Sequence, residues 1–123
     1  MKLMEAISAV DALKPNAYSQ EDKIGWLSQV DETVQREILD NHQGGGAVFE
    51  GYTADTPPDT LLLVPPPYDQ LYLRYLEAQI DYHNAEYDRF NNAIAMYEAA
   101  FDNFAKYYTR THMPLSKGKR FLF

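Results

Sequence analysis

Between Leu73 and Tyr108 the chain carries the run that most constrains its fold. Leu73, Leu76, Ile80, His83, Tyr87, Phe90, Ile94, Tyr97, Phe101, Phe104 and Tyr108 follow one another in alternating steps of three and four. That spacing keeps every member on one side of an α-helix, whereas a strand alternates its faces every second residue. A single helix over 68–110 would be about 65 Å long. That is too long for a compact domain of 123 residues. The run turns polar at His83-Asn84, and residues 81–92 hold three asparagines. We therefore expect two helices, about 68–83 and 86–110, with one long helix as the alternative.

The rest of the chain reads as shorter elements. Leu3, Ile7, Val10 and Leu13 recur at helical spacing, and Pro15 disfavours helix at Lys14, so a first helix is expected over 2–13. Ser19 is placed as the N-cap of a second, over about 20–41, with Glu21 and Asp22 in the dipole-favoured first turn. Ile24, Leu27, Val30 or Asp31, Val34 and Ile38 mark its buried face, and Gly44-Gly45-Gly46 stops it. Gly25 inside it costs about 1 kcal/mol relative to alanine. Ala47–Tyr52 and Thr60–Val64 are rich in β-branched or large apolar residues and suggest a small hairpin or flap, which is marginal in water unless it lies on the helices or on a neighbouring subunit.

Pro65-Pro66-Pro67-Tyr68 matches the core of a WW-domain ligand, which must stay extended. Here it stands one turn before the seam, where proline suits a helix start, and Tyr68 is expected to be helical already. The fold class is all-α: a small helical bundle with a long C-terminal helix or helix pair, a short β-hairpin or flap between helices, and an extended C-terminal tail. One helical domain is expected over 1–112, with the flap at about 43–66 and a basic, aromatic tail over 113–123.

Chemistry is sparse in the sequence. There is no cysteine, so neither disulfides nor thiolate metal sites hold the fold. No apolar run is long enough to span a bilayer, and no signal peptide is evident, so the protein is expected to stay in the cytosol of the cell that makes it. His42, His83 and His112 are far apart in sequence. Asp81, His83 and Glu86 could hold a metal only if they shared a face, and 81 and 83 do not. No nucleophile elbow, phosphate loop or dinucleotide fingerprint is present. Asp31-Glu32 and Glu21-Asp22 read as solvated helix surface. The expectation is no enzyme, no metal and no cofactor.

Net charge is −7, which disfavours nucleic-acid binding by bulk electrostatics. All 18 acidic residues precede position 109, while 109–123 carry Arg110, Lys117, Lys119 and Arg120; the remaining chain thus holds −7 minus +4, or −11. The basic end finishes on Phe121, Leu122 and Phe123, large apolar groups that favour a surface to bury against. Of ten tyrosines, eight follow Pro67. Tyr72, Tyr75, Tyr82 and Tyr107 lie off the seam, so one helix face cannot hide them all. Such a surplus suits an interface protein, because tyrosine is enriched at interfaces.

Two long stretches, "AISAVDALKPNAYSQEDKIGWLSQVDETVQREIL" and "LLLVPPPYDQLYLRYLEAQIDYHNAEYDRFNNAIAMYEAAFDNFAKYYTRTHMP", cover most of the chain. In whole pattern they resemble the small helical head–tail connector (head-completion or adaptor) proteins of tailed bacteriophages. The final "LSKGKRFLF" has no counterpart in that resemblance. The resemblance implies a structural virion protein at the head–tail interface, made in the bacterial cytoplasm. It would assemble as a ring, usually a dodecamer, on the phage portal protein, with a downstream connector or stopper below and DNA only as passing cargo. By that analogy Lys117, Lys119, Arg120, Phe121, Leu122 and Phe123 form the portal-binding tail. Val48, Phe49, Tyr52, Leu62 and Val64 form a flap between subunits. No membrane is involved. The alternative is a non-viral bacterial binding or regulatory module that dimerises through the 73–108 seam.

Overall fold

Ser19 accepts a hydrogen bond from the Asp22 amide at 3.1 Å and so caps the second helix where the sequence places it. In the computed structural model, which describes residues 1–44 and 48–115, four α-helices follow in chain order. They are α1 (Leu3–Leu13), α2 (Gln20–Glu37), α3 (Gln70–His83) and α4 (Tyr87–Thr111). A short 3-10 turn, Leu39–Asn41, finishes α2 earlier than expected. The chain is mainly helical, and the 68–110 region forms two helices, not one. Tyr68 lies in the turn before α3 and is not yet helical. It packs against α4, stacking on Tyr107 with ring centroids 4.7 Å apart, so Pro65–Tyr68 is no free ligand.

The turn Asn84–Glu86 reverses the chain, and α4 runs back antiparallel along α3. Three of the ring pairs that cross the hairpin set its register: Tyr82 with Phe90, Tyr75 with Tyr97, and Tyr68 with Phe104. Each pair is equidistant in sequence from Glu86, as an antiparallel hairpin requires. The members of these pairs on the α3 side are off the seam. On the seam itself His83 stacks on Trp26 of α2 at 5.4 Å instead. The unbroken three-four register therefore spans two different interfaces.

α3 is the central helix, near α1, α2 and α4 alike. Leu71, Tyr72, Leu73, Leu76, Ala78 and Ile80 are all buried, which a one-sided amphipathic reading does not anticipate. The core continues through Leu3, Ile7 and Val10 of α1, Leu27, Val30 and Val34 of α2, and Phe104 and Tyr108 of α4. Ion pairs link the helices at its edge. Lys14, just after α1, reaches the buried Asp81 of α3 at 2.6 Å, and Lys23 of α2, itself buried, reaches Asp11 of α1 at 2.7 Å.

The expected β-hairpin is not present. Among the described residues the only bridges are isolated ones, Lys2 with Leu61 and His42 with Pro114. Residues 48–64 form an irregular strap, and its hydrogen bonds explain why. The amides of Leu3 and Met4, unpaired at the start of α1, donate to the Thr60 and Pro58 carbonyls at 2.8 and 3.1 Å. Several of the strap's own amides go to side chains, Tyr52 to Ser28 Oγ, Leu63 to Asp31 and Val64 to Tyr72 Oη, and that of Leu62 goes to the Met1 carbonyl at 2.9 Å. Backbone groups satisfied in this way are not available to a two-stranded ladder.

Candidate functional site

Two clusters tie the non-helical segments to the bundle. The first is built on Asp31, which no water reaches. Its carboxylate accepts from Tyr72 Oη at 2.6 Å through Oδ1, and from Tyr52 Oη and the Leu63 amide through Oδ2. Tyr72 Oη in turn accepts from the Val64 amide at 2.8 Å. One carboxylate thus joins α2, α3 and both ends of the strap. Among the described residues no cation pairs with it, and burial pushes its carboxyl above the usual range, partly offset by Tyr52, Tyr72 and the Leu63 amide. Burial first, then the neighbouring Asp31 charge, push the Tyr52 and Tyr72 phenols far up, which keeps both as neutral donors.

Sequence reasoning placed Asp31 two ways, as an alternative to Val30 on the buried face of α2 and, with Glu32, as solvated surface; the structure buries both Val30 and Asp31. The signal was there: 24, 27, 31, 34 and 38 continue the three-four spacing, so Asp31 occupies a core slot. The same network consumes part of the expected inter-subunit flap. Val64 is fully buried and Leu62 nearly so in the chain's own core, and Tyr52 is held by Asp31. Phe49 is half-buried, edge-on to Tyr52 at 5.0 Å. Of the five, Val48 is the most exposed, at 84%, and Phe49 and Tyr52 are only partly buried.

The second cluster lies at the end of α4. His112 stacks flat on Tyr108 at 3.7 Å, and His42 meets the same ring edge-on at 5.1 Å. His42 also contacts the Ile38 carbonyl through Nδ1 at 2.7 Å and Thr109 Oγ1 through Nε2 at 3.3 Å. Beside it the chain leaving α4 is clipped to the chain leaving α2. The Gln43 amide donates to the Met113 carbonyl at 2.8 Å, and the Leu115 amide to the Asn41 carbonyl at 3.1 Å. The expected tail boundary at 113 therefore falls inside a bonded segment. The tail candidates Lys117, Lys119, Arg120, Phe121, Leu122 and Phe123 lie outside the described residues. What is placed is the point from which they depart, Leu115, against the end of α2.

The surplus tyrosines are mostly used inside the bundle. Tyr72 is fully buried, Tyr75 packs on Tyr97 and donates to Gln29, and Tyr107 stacks on Tyr68. Tyr82 stays half exposed at the α3–α4 turn. The candidate metal trio is dispersed. Asp81 is buried against Lys14, His83 stacks on Trp26, and Glu86 pairs with Arg89 at 3.0 Å. Among the described residues no three His, Cys, Asp or Glu side chains gather as a metal site, and no helix is long and apolar enough to cross a membrane.

No family model, curated protein or solved structure matches this chain.

What these clusters can do chemically is hold geometry. Asp31 is fully buried and enclosed by donors. The His42–Tyr108–His112 group stacks around a segment exit. The depressions are open; one of about 300 Å³, between α2 and the start of the strap, has both charged and apolar walls, among them Glu32, Arg36, Asp40, Val48, Phe49 and Glu50.

Proposed function

We propose that this protein is a structural assembly component of the head–tail connector type: a non-catalytic helical adaptor that associates with itself in a ring on a phage portal, extends the DNA channel and offers its other end to a downstream connector or stopper. The observation that carries the reading is the clip between Asn41–Gln43 and Met113–Leu115. It ties Leu115, two residues before the segment Lys117–Phe123, to the end of α2. A basic, aromatic-ended segment leaving an acidic body suits docking on an acidic partner with pockets for Phe121 and Phe123. The resemblance of the two long stretches to connector proteins points the same way. In this reading the seam over 73–108 is spent in the chain's own packing, so the alternative of dimerisation through it would require the α3–α4 hairpin to open.

The test is co-assembly with the portal protein of the same genome, using the full chain and a version ending at Ser116, imaged by electron microscopy. The expected result is a ring added to the portal by the full chain alone. Assembly by both versions would move the anchor out of the tail, and association by neither would overturn the connector reading.

A further inference from the structure

α4 comes near no other helix but α3. Phe90, Tyr97, Phe104 and Tyr108 form its inner face, and of these only Phe104 and Tyr108 are buried, at 1% and 8% exposure. At about 100° per residue, the row opposite that face runs through Asp88, Asn92, Ala95, Ala99, Asp102, Lys106 and Arg110. Every one of these is exposed. Asp88 and Arg110 make no ion pair or side-chain hydrogen bond among the described residues, although Arg89 and Lys106 beside them are paired with Glu86 and Asp102. They lie at opposite ends of the same face, about 33 Å apart at 1.5 Å per residue, so one chain cannot pair them with each other.

We propose that this outer face of α4 docks a second copy of the chain, antiparallel, about a two-fold axis at Ala99. Reversal about Ala99 sets Asp88 opposite Arg110 of the second copy, Asn92 opposite Lys106 and Ala95 opposite Asn103. Each charged end therefore meets its complement twice, as an isologous contact requires. A parallel arrangement would instead set Asp88 against Asp88 and Arg110 against Arg110, so the charges select the antiparallel one. Opposed helix dipoles favour the same choice. Alanine at 95 and 99 leaves the two backbones free to approach where the helices cross. The interface is polar and its ion pairs are exposed, so association is weak and salt-sensitive. It is an isologous contact, distinct from the heterologous contacts that would close a ring and from the tail-to-portal contact, and does not depend on the connector reading.

The chain has no cysteine, which allows a direct test. Ala99→Cys puts a single exposed thiol on the axis, and mild oxidation is expected to give a disulfide-linked dimer. Asp88→Cys and Arg110→Cys are each expected to stay monomeric alone and to crosslink when mixed. In sedimentation of the full chain, Asp88→Arg is expected to weaken self-association by roughly tenfold or more, as opposed like charges do. The double exchange Asp88→Arg with Arg110→Asp restores it. Monomeric Ala99→Cys, equal crosslinking by all three cysteine variants, or a charge reversal that changes nothing would each overturn the proposal.

Discussion

At the scale of single residues, Asp31 and Phe104 carry the most information. Phe104 is 1% exposed, whereas its seam neighbour Phe101 is half-buried on the flank of α4. Phe104→Ala is expected to cost about 3–5 kcal/mol in urea unfolding, as deletion of a core ring does. Phe101→Ala should cost clearly less, and equal costs would mean that α4 is buried along its whole length. For Asp31 the expectation concerns pH. Its folded-state pKa is raised by burial, so the folded chain keeps this proton after the unfolded chain has released it. The stability it contributes is full below the ordinary carboxylate range and is lost as pH rises through the folded-state value. Asp31→Asn removes that titration and deprives buried donors of an acceptor, at a cost of about 1–3 kcal/mol in mild acid. The gap between native and variant stability, measured by urea unfolding across a pH series, should narrow as pH rises; a gap that widens would contradict the burial argument. Periodicity placed Asp31 in a core slot, yet its residue type argued for the surface. Only its three donors, from residues 52, 63 and 72, reconcile the two.

At the scale of elements, the helices were legible and the strap was not. α1 and α2 begin and α1 ends within a residue of the sequence expectation, because caps and prolines act locally. The break between α3 and α4 was also legible, from the polar run after Ile80. The turn carries one visible flaw. Ala85 follows the C-cap of α3 with φ of 59°, the left-handed region that a Cβ disfavours. Ala85→Gly is therefore expected to raise stability by about 0.5–1 kcal/mol, read as a higher Tm with unchanged helical content. A lower Tm would show that the Ala85 side chain contributes packing worth more than its strain. The strap looked like a hairpin because its ends are rich in apolar and β-branched residues. Those residues are apolar because Leu62 and Val64 enter the core, not because they pair with each other. Local composition cannot separate the two causes.

At the scale of the whole molecule, the described fold closes on itself without the last residues. Its core spans residues 3 to 108, and no buried side-chain polar atom lacks a partner. Removing residues 117–123 should leave Tm and helical content unchanged. Removal of 113–123 breaks the two clip hydrogen bonds and should cost about 1–3 kcal/mol. Circular dichroism on both truncations checks this, and a large loss from the shorter deletion would show that the tail packs into its own domain. By itself the sequence determined the helical class, the starts of α1 and α2, the end of α1, the break between α3 and α4, and the charge division along the chain, since each depends on neighbours within a few residues. Tertiary structure alone decided that α3 is central, that Tyr72 meets Asp31 across 41 residues of chain, and that the seam serves two interfaces. The physical reason is direction. Three-four spacing tells that a face is buried, but what buries it depends on how the chain turns at Asn84–Glu86 and where the strap crosses, and both are settled only by packing.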